Sequence, residues 1–389
     1  MAVLGAGGTN PPLIPDALLT VSTTWSPPYK IKALVRCFGG GGSGAIGRNK
    51  SSLSKGMLVT GGGAGEHAGS ILELDPSVTY TVVVGAGGAG LGSTSDGIAA
   101  GNAGGNTSFA GSGITTITAN GGAGGLALNA PDAGTAYTQA GAAGGSGGAG
   151  ELYRHTGGAG GAITKPSGSN NVLDNTFVTG GGAVGLFGTG HAGGLVSWVT
   201  TASNNRNVGT GGGGVNGAGG PVNSDSGSTT LFTWGGSSFG PAGNTTVAGT
   251  TPGWGVNSDA NAVAPNADAW ESTFDFWQSG SLLDRVNHTY QQAYGILSPP
   301  GTGGMGHGAV GIYSYATAAT LFGGGGAICT SNVAFNVQSQ NYNFWQQIGG
   351  RLGGGGGGGG ISSDTSSKLV NSGIGGRGGV LIEMLERVT

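Results

Sequence analysis

Hydrophobic and polar residues alternate with a period of two over residues 29–38, YKIKALVRCF. Ile31, Ala33, Val35 and Cys37 fall on one side, and Lys30, Lys32, Leu34 and Arg36 on the other. That period marks a β-strand with one buried face. Short β-branched or aromatic runs at 80–84, 114–119 and 380–385 predict three more strands. The first three lead straight into glycine and the last leads out of it, so the first and last strands are expected to pair and close a small antiparallel sheet. A helical period occurs at Trp270, Phe274 and Trp277, which stand at i, i+4 and i+7. Asp268 is placed as N-cap with Glu271 three residues on, and Ser281 caps a second pattern carrying Leu283, Val286 and Tyr290 before Gly295. These residues predict a short helical insertion within 221–300. An FWQ triplet at 276–278 recurs at 344–346, which suggests two equivalent apolar plugs.

Between the strands lie uninterrupted glycine runs at 39–42, 61–63, 180–182, 211–214, 323–326 and 353–360. Helix is disfavoured there by about 1 kcal/mol per glycine, and glycine also weakens strands. Collagen is excluded, because no strict G-X-Y period is present. The remaining regular state is the three-residue, left-handed extended helix, polyglycine II. It has no internal hydrogen bonds, so its amides must bond to neighbouring helices. Ordering a residue costs about 1–2 kcal/mol and a net hydrogen bond returns about 1 kcal/mol. One such helix therefore melts, and only a cooperative bundle with apolar ends can hold. Interior helices need glycine; edge helices tolerate Ala, Ser or Asn facing outward, as in 141–150 and 211–220. The run of Gly353, Gly354, Gly355, Gly356, Gly357, Gly358, Gly359 and Gly360 spans roughly 25 Å in this state and is the expected bundle centre. The fold class expected is therefore mostly irregular and β: a polyglycine II bundle, a small antiparallel sheet at its base and a short helical insertion.

Composition sharpens this picture. Of 389 residues 93 are glycine, against a usual share of roughly 7%. Such a level often means disorder, yet the chain is 37% hydrophobic and its net charge is only −3. Charged residues make up 8%, far below the usual share of about 25%, which argues against nucleic-acid binding. Lys30, Lys32, Arg36, Arg48, Lys50 and Lys55 run with no acidic residue among or after them until Glu66. A solvated sheet edge is the plainer reading of this run, and a contact to glycolipid phosphate the sharper one. The two cysteines, Cys37 and Cys329, make no disulfide framework and suit a reducing compartment. Neither a signal-peptide pattern nor a run of 18 apolar residues is visible, so membrane insertion is not expected.

Catalytic motifs are sparse. GSGAIG at 42–47 matches G-x-G-x-x-G, but the following residues are poor helix formers and the match is expected by chance in so much glycine. His67, His155, His191, His288 and His307 occur singly, without metal-site spacing. Asp275 and Asp284 could form a glycosidase pair, as could any two acids in an unknown fold. No enzyme activity and no cofactor are expected. The aromatic residues carry more. Trp270, Trp277 and Trp345 lie in apolar pattern and read as plugs. Trp198, Trp234, Trp254 and Tyr290 read as receptor-binding anchors, the first three set among Ser, Asn, Thr and Gly.

Strand–GGGG, then YTVVVGAGGAG, GGNTSF, ITANGGAGG, a late FWQ, the long glycine run and GGRGGVLIE resemble the glycine-rich adhesins that cap the long tail fibres of T-even-type bacteriophages. The resemblance covers most of 29–194 and 301–388. It implies a sandwich of polyglycine II helices whose distal loops bind receptors on the host surface. The chain departs from that family in its large 221–300 insertion and in having only residues 1–28 where the family has a sizeable attachment domain. Two regions follow: an extended, proline-rich arm at 1–28, and a glycine-rich domain at 29–389. The expected partners are other virion tail or fibre proteins, through the arm, and a bacterial surface protein or glycan. A homo-oligomer is compatible with such an arm. The alternative is a purely structural virion spacer or decoration protein; an ice-binding role lacks the regular threonine array it would need.

Overall fold

The computed structural model describes residues 17–48, 56–93, 95–129, 135–165, 176–186, 188–197, 207–214, 218–219, 222–223, 230–232, 322–331, 352–362 and 370–388. No helix occurs among them, and none is therefore long and apolar enough to cross a membrane. Two antiparallel sheets form the base. The first runs β1 (Ala17–Leu19), β24 (Gly379–Arg387), β3 (Ile31–Phe38), β6 (His67–Leu74), β14 (Tyr153–His155). The second runs β11 (Ile117–Ala119), β10 (Thr107–Ala110), β7 (Tyr80–Val83), β2 (Thr23–Trp25). The alternation of the first strand is realised: Ile31, Ala33, Val35 and Cys37 are buried, while Lys32, Leu34 and Arg36 are half-buried. Their apolar face meets Tyr80, Val82, Phe109 and Ile117 of the second sheet. First and last strands pair, with Phe38 opposite Gly379 and Ile31 opposite Arg387.

Beyond the base the chain runs back and forth in glycine-rich segments. Over 39–45 the amides point to three neighbours in rotation. Gly39, Gly42 and Ala45 donate to the carbonyls of Glu66, Gly63 and Thr60; Gly40 and Ser43 donate to Gly105 and Asn102; Gly41 and Gly44 donate to Gly376 and Gly373, all at 2.8–3.1 Å. The same rule recurs in 60–66, where Gly62 and Gly65 bond to Gly356 and Gly353 while Thr60, Gly63 and Glu66 bond to Leu126, Ala123 and Asn120. A repeat of three residues, each facing a different neighbour, satisfies backbone groups that a lone extended chain would leave open. Hydrogen bonds order the segments into three stacked rows. An outer row holds 85–91, 101–105, 120–125, 141–145, 157–161 and 190–194; a middle row holds 373–377, 39–45, 60–66, 179–184 and 210–213; a third holds 353–358 and 323–327.

Glycine is needed here for space rather than for handedness. Within these segments only Gly353 has a positive φ, so the backbone keeps the sense that Ser43, Ala45, Thr60 and Ala64 can also adopt. A Cβ on Gly41 would lie 2.0 Å from the carbonyl oxygen of Gly354, and one on Gly355 would lie 2.1 Å from that of Gly62. At the outer row the restriction lifts with a period of three. Gly85 and Gly88 are buried while Ala86 and Ala89 are exposed; Ala142 and Gly145 are buried while Ala143 and Ser146 are exposed.

Apolar side chains close both ends of the array. Phe38, Ala64, Val184, Leu186, Phe322, Leu352 and Leu381 cluster at the base end. Ala45, Met57, Val59, Val178 and Ala327 cluster at the other, beside a second group of Leu58, Ile163, Phe177, Val196 and Val208. Short strands finish that end. One sheet runs β12 (Ala127–Asn129), β5 (Met57–Val59), β16 (Thr176–Val178), β18 (Asn207–Gly209), β20 (Thr230–Phe232). Another runs β13 (Tyr137–Gln139), β15 (Ile163–Lys165), β17 (Val196–Ser197), β19 (Val222–Asn223). A third runs β21 (Ile328–Ser331), β22 (Gly359–Ser362), β4 (Ile46–Arg48), β9 (Gly97–Ala99), and β23 (Val370–Asn371) pairs with β8 (Gly92–Ser93).

Several expectations change. The base holds two antiparallel sheets rather than one, and parallel strands, which the sequence did not suggest, cap the far end. The arm is partly woven in: β1 pairs with β24, β2 pairs with β7, and Trp25 packs 6.3 Å from Tyr80 and 6.4 Å from Phe109. The helical pattern at 268–290 and both FWQ triplets lie outside the described residues. Within 221–300 only β19 and β20 are described.

Candidate functional site

The connections 49–55, 130–134, 166–175, 198–206, 224–229 and 363–369 all leave and rejoin described strands at the end away from the base. The register shows this: Thr176 sits opposite Met57 and Asn207, Asn207 opposite Thr230, Met57 opposite Asn129, and Arg48 opposite Ile361. Two cations are buried at the roots of these connections. Arg48 is wholly buried with its Nε 3.7 Å from Asp96, and the Lys165 Nζ donates to the Thr135 carbonyl at 2.8 Å. The Lys165 bond ties the strand before 166–175 to the residue after 130–134.

Below the connections, threonines hold the strands to the glycine segments. Thr179 Oγ1 accepts from the Gly61 amide at 3.2 Å and donates to the Gly161 carbonyl at 2.8 Å. Thr210 Oγ1 accepts from Gly180 at 3.2 Å and donates to Gly194 at 2.9 Å. Thr60 Oγ1 accepts from the Leu126 amide at 2.8 Å. These residues were missed in the sequence, although a signal was there: a three-residue strand followed by Thr-Gly-Gly-Gly occurs at 57–63, 176–182 and 207–213.

Of the residues singled out from the sequence, Trp198, Trp234, Trp254 and Tyr290 lie outside the described residues. The run 353–360 is described and buried throughout. It bonds to 39–45, 61–65, 179–182, 323–327 and 373–377, and its last two glycines pass into β22. The G-x-G-x-x-G stretch forms part of the array and of β4; a Cβ on Gly44 would lie 2.0 Å from the Gly357 carbonyl oxygen. Lys32 and Arg36 of the basic run are not on a sheet edge, because β3 lies in the middle of its sheet, while Lys50 and Lys55 lie outside the described residues. Lys30 pairs with Glu73 at 3.1 Å, Lys32 with Glu386 at 3.4 Å, and Arg36 with Glu383. Cross-strand neighbours thus neutralise charges that look unopposed along the chain.

A second cluster of titratable groups joins the base to the array. Arg36 donates to Tyr153 Oη at 3.2 Å, and Tyr153 Oη lies 3.0 Å from His67 Nε2. His67 Nδ1 lies 3.1 Å from the Gly185 carbonyl, so Nδ1 carries the proton and Nε2 accepts from Tyr153. His155 Nδ1 reaches the same carbonyl at 3.1 Å. Burial lowers His67 to about 3 and raises the Tyr153 phenol to about 12. A neutral, stacked imidazole beside Phe38, at 4.5 Å between centroids, is a packing element. Among the described residues no group of three or more His, Cys, Asp or Glu is placed to hold a metal ion.

No curated protein gives a significant match to the chain. Residues 19–195 match the family model of a glycine-rich domain, so that stretch fits a known glycine-rich family.

Proposed function

We propose that this chain is a virion-surface adhesin of a bacteriophage tail fibre or tail tip. In this reading the array is a sandwich of polyglycine II helices. The three-residue rotation of its hydrogen bonds, the absence of positive φ in its described glycines other than Gly353 and the period-three exposure of its outer row support that assignment. The adhesin reading draws on the tail-fibre resemblance and on one structural observation, the polarity of the molecule. An ion-paired β-sandwich carrying β1 and β24 stands at one end, and the six connections 49–55, 130–134, 166–175, 198–206, 224–229 and 363–369 are rooted at the other, whereas the chain after 233–321 and 332–351 resumes at Phe322 and Leu352 of the base-end cluster. A side-chain-poor array holds the two ends apart. Such a body presents loops on a rigid support, which suits recognition by shape and aromatic contact without catalysis or a cofactor. The base and residues 1–28 would face other virion proteins; the far connections would meet a bacterial surface protein or glycan.

Binding of the purified full chain to intact bacteria, compared across mutants lacking individual surface proteins or glycans, tests this directly. Binding lost in one mutant class, and shifted by exchange of 195–208 or 221–300, supports the adhesin. Loop exchanges that leave virion adsorption unchanged favour the rival reading, a structural spacer.

A further inference from the structure

Consecutive turns of the chain repeat one set of contacts. In the first turn, β15 leads through 166–175 to β16, then Thr179 and the segment 180–184; in the second, β17 leads through 198–206 to β18, then Thr210 and the segment 211–214. β15, β17 and β19 are parallel, with Ile163 opposite Val196 and Val196 opposite Val222. β16, β18 and β20 are also parallel, with Thr176, Asn207 and Thr230 in one rank. The threonine contacts shift by the same step. The Thr179 amide donates to Val59 and the Thr210 amide to Val178, each the residue before the previous threonine. Their hydroxyls accept from Gly61 and Gly180, each the residue after it, and donate to Gly161 and Gly194. Their carbonyls accept from Gly358 and Ala327, at 3.1 and 3.0 Å. The sequence continues the pattern with Gly220-Pro221-Val222 and with Thr233 directly after β20.

We propose that β15 with β16, β17 with β18 and β19 with β20 are successive turns of a parallel solenoid grafted onto the glycine array, that the threonine following each second strand joins a turn to the one before it, and that the protein is widened or narrowed by whole turns. Each turn brings one connection to the loop-bearing end, so the number of turns sets the breadth of that surface. This last clause rests on the adhesin reading; the repeat itself does not.

The test is a tandem duplication of residues 196–221 in the full chain, which inserts one register step from Val196 to Val222. A duplication of 196–217 serves as the out-of-register partner. The in-register variant is expected to melt cooperatively within about 5 °C of the parent, and the other to lose its cooperative transition. Equal loss in both overturns the solenoid. Thr179→Val and Thr210→Val provide a second measurement. Both should lower the melting temperature by similar amounts, because each leaves a buried glycine amide and carbonyl without the hydroxyl, while Thr179→Ser and Thr210→Ser should retain most of the stability. A valine variant indistinguishable from the parent overturns the joining role. A folded in-register duplicate with altered adsorption to host cells supports the surface claim. The same folded duplicate with unchanged adsorption overturns that claim and leaves the repeat standing.

Discussion

Replacing Gly356 with alanine places one methyl group inside the array. Gly356 donates to the Gly42 carbonyl at 2.8 Å and accepts from the Gly62 amide at 2.8 Å. Its added Cβ would lie 2.2 Å from the Gly373 carbonyl oxygen. That oxygen belongs to another glycine segment, so no flexible side chain can swing aside. Overpacking of this kind costs about 1–3 kcal/mol, and stretching the two hydrogen bonds removes up to about 1 kcal/mol each. Reduced freedom of the unfolded chain offsets about 0.4–1 kcal/mol. The net loss is about 2–4 kcal/mol, a fall of roughly 2–5 °C in melting temperature for a chain of this length. Gly188→Ala is the control, because nothing lies within 4 Å of its added Cβ and its φ is not positive. It should be neutral or slightly stabilising. Thermal melts followed by circular dichroism read both variants. Gly356→Ala melting with the parent, or Gly188→Ala proving the more harmful, would refute backbone packing as the source of stability.

Three further outcomes follow from the base. His67 is held at about 3 by burial, below its usual value near 6.5, so the unfolded chain takes up the proton first as pH falls. Its contribution is complete above that usual value and is lost progressively between pH 6.5 and about 3, by roughly 2 kcal/mol at pH 5. Arg36, Tyr153 and His155 face it, with Glu383 behind Arg36, so a comparison of denaturant midpoints for the parent and His67→Gln isolates the effect of His67; an unchanged dependence on pH in the variant would contradict it. Cys37 is wholly buried and burial raises its thiol pKa, so site-resolved labelling should modify it only after unfolding, and rapid modification in the native state would contradict its placement. Arg36 and Glu383 form a largely buried pair, so either Arg36→Ala or Glu383→Ala should cost about 3 kcal/mol, with the double variant less than additive in urea titrations.

The sequence revealed the parts of the fold that depend on long, regular patterns. β3 alternates over its first seven residues, and its pairing with β24 followed from both strands abutting glycine. Glycine runs announced close backbone approach, since few other states use them. The parallel strands stayed hidden for a physical reason. β5 and β16 are three residues long and buried on every side, so no polar face produces a period. Their register is fixed instead by the threonine after them, whose hydroxyl meets backbone groups far away in sequence. The ion pairs were equally illegible, because Lys32 finds Glu386 and Arg36 finds Glu383 only once the last strand lies beside the first. The aromatic anchors proposed for recognition, Trp198, Trp234, Trp254 and Tyr290, fall outside the described residues and rest on composition alone.

Residue-resolved amide exchange by NMR addresses the central claim most directly. Gly41, Gly42, Gly62, Gly355 and Gly356 should exchange slowly, since each amide is buried and bonded to another segment. In the outer row Gly88, bonded to the Gly41 carbonyl, should be protected between the exposed and freely exchanging Ala86 and Ala89. Uniformly fast exchange through 39–45 and 353–358, or protection without a three-residue rhythm in 85–90, would contradict it.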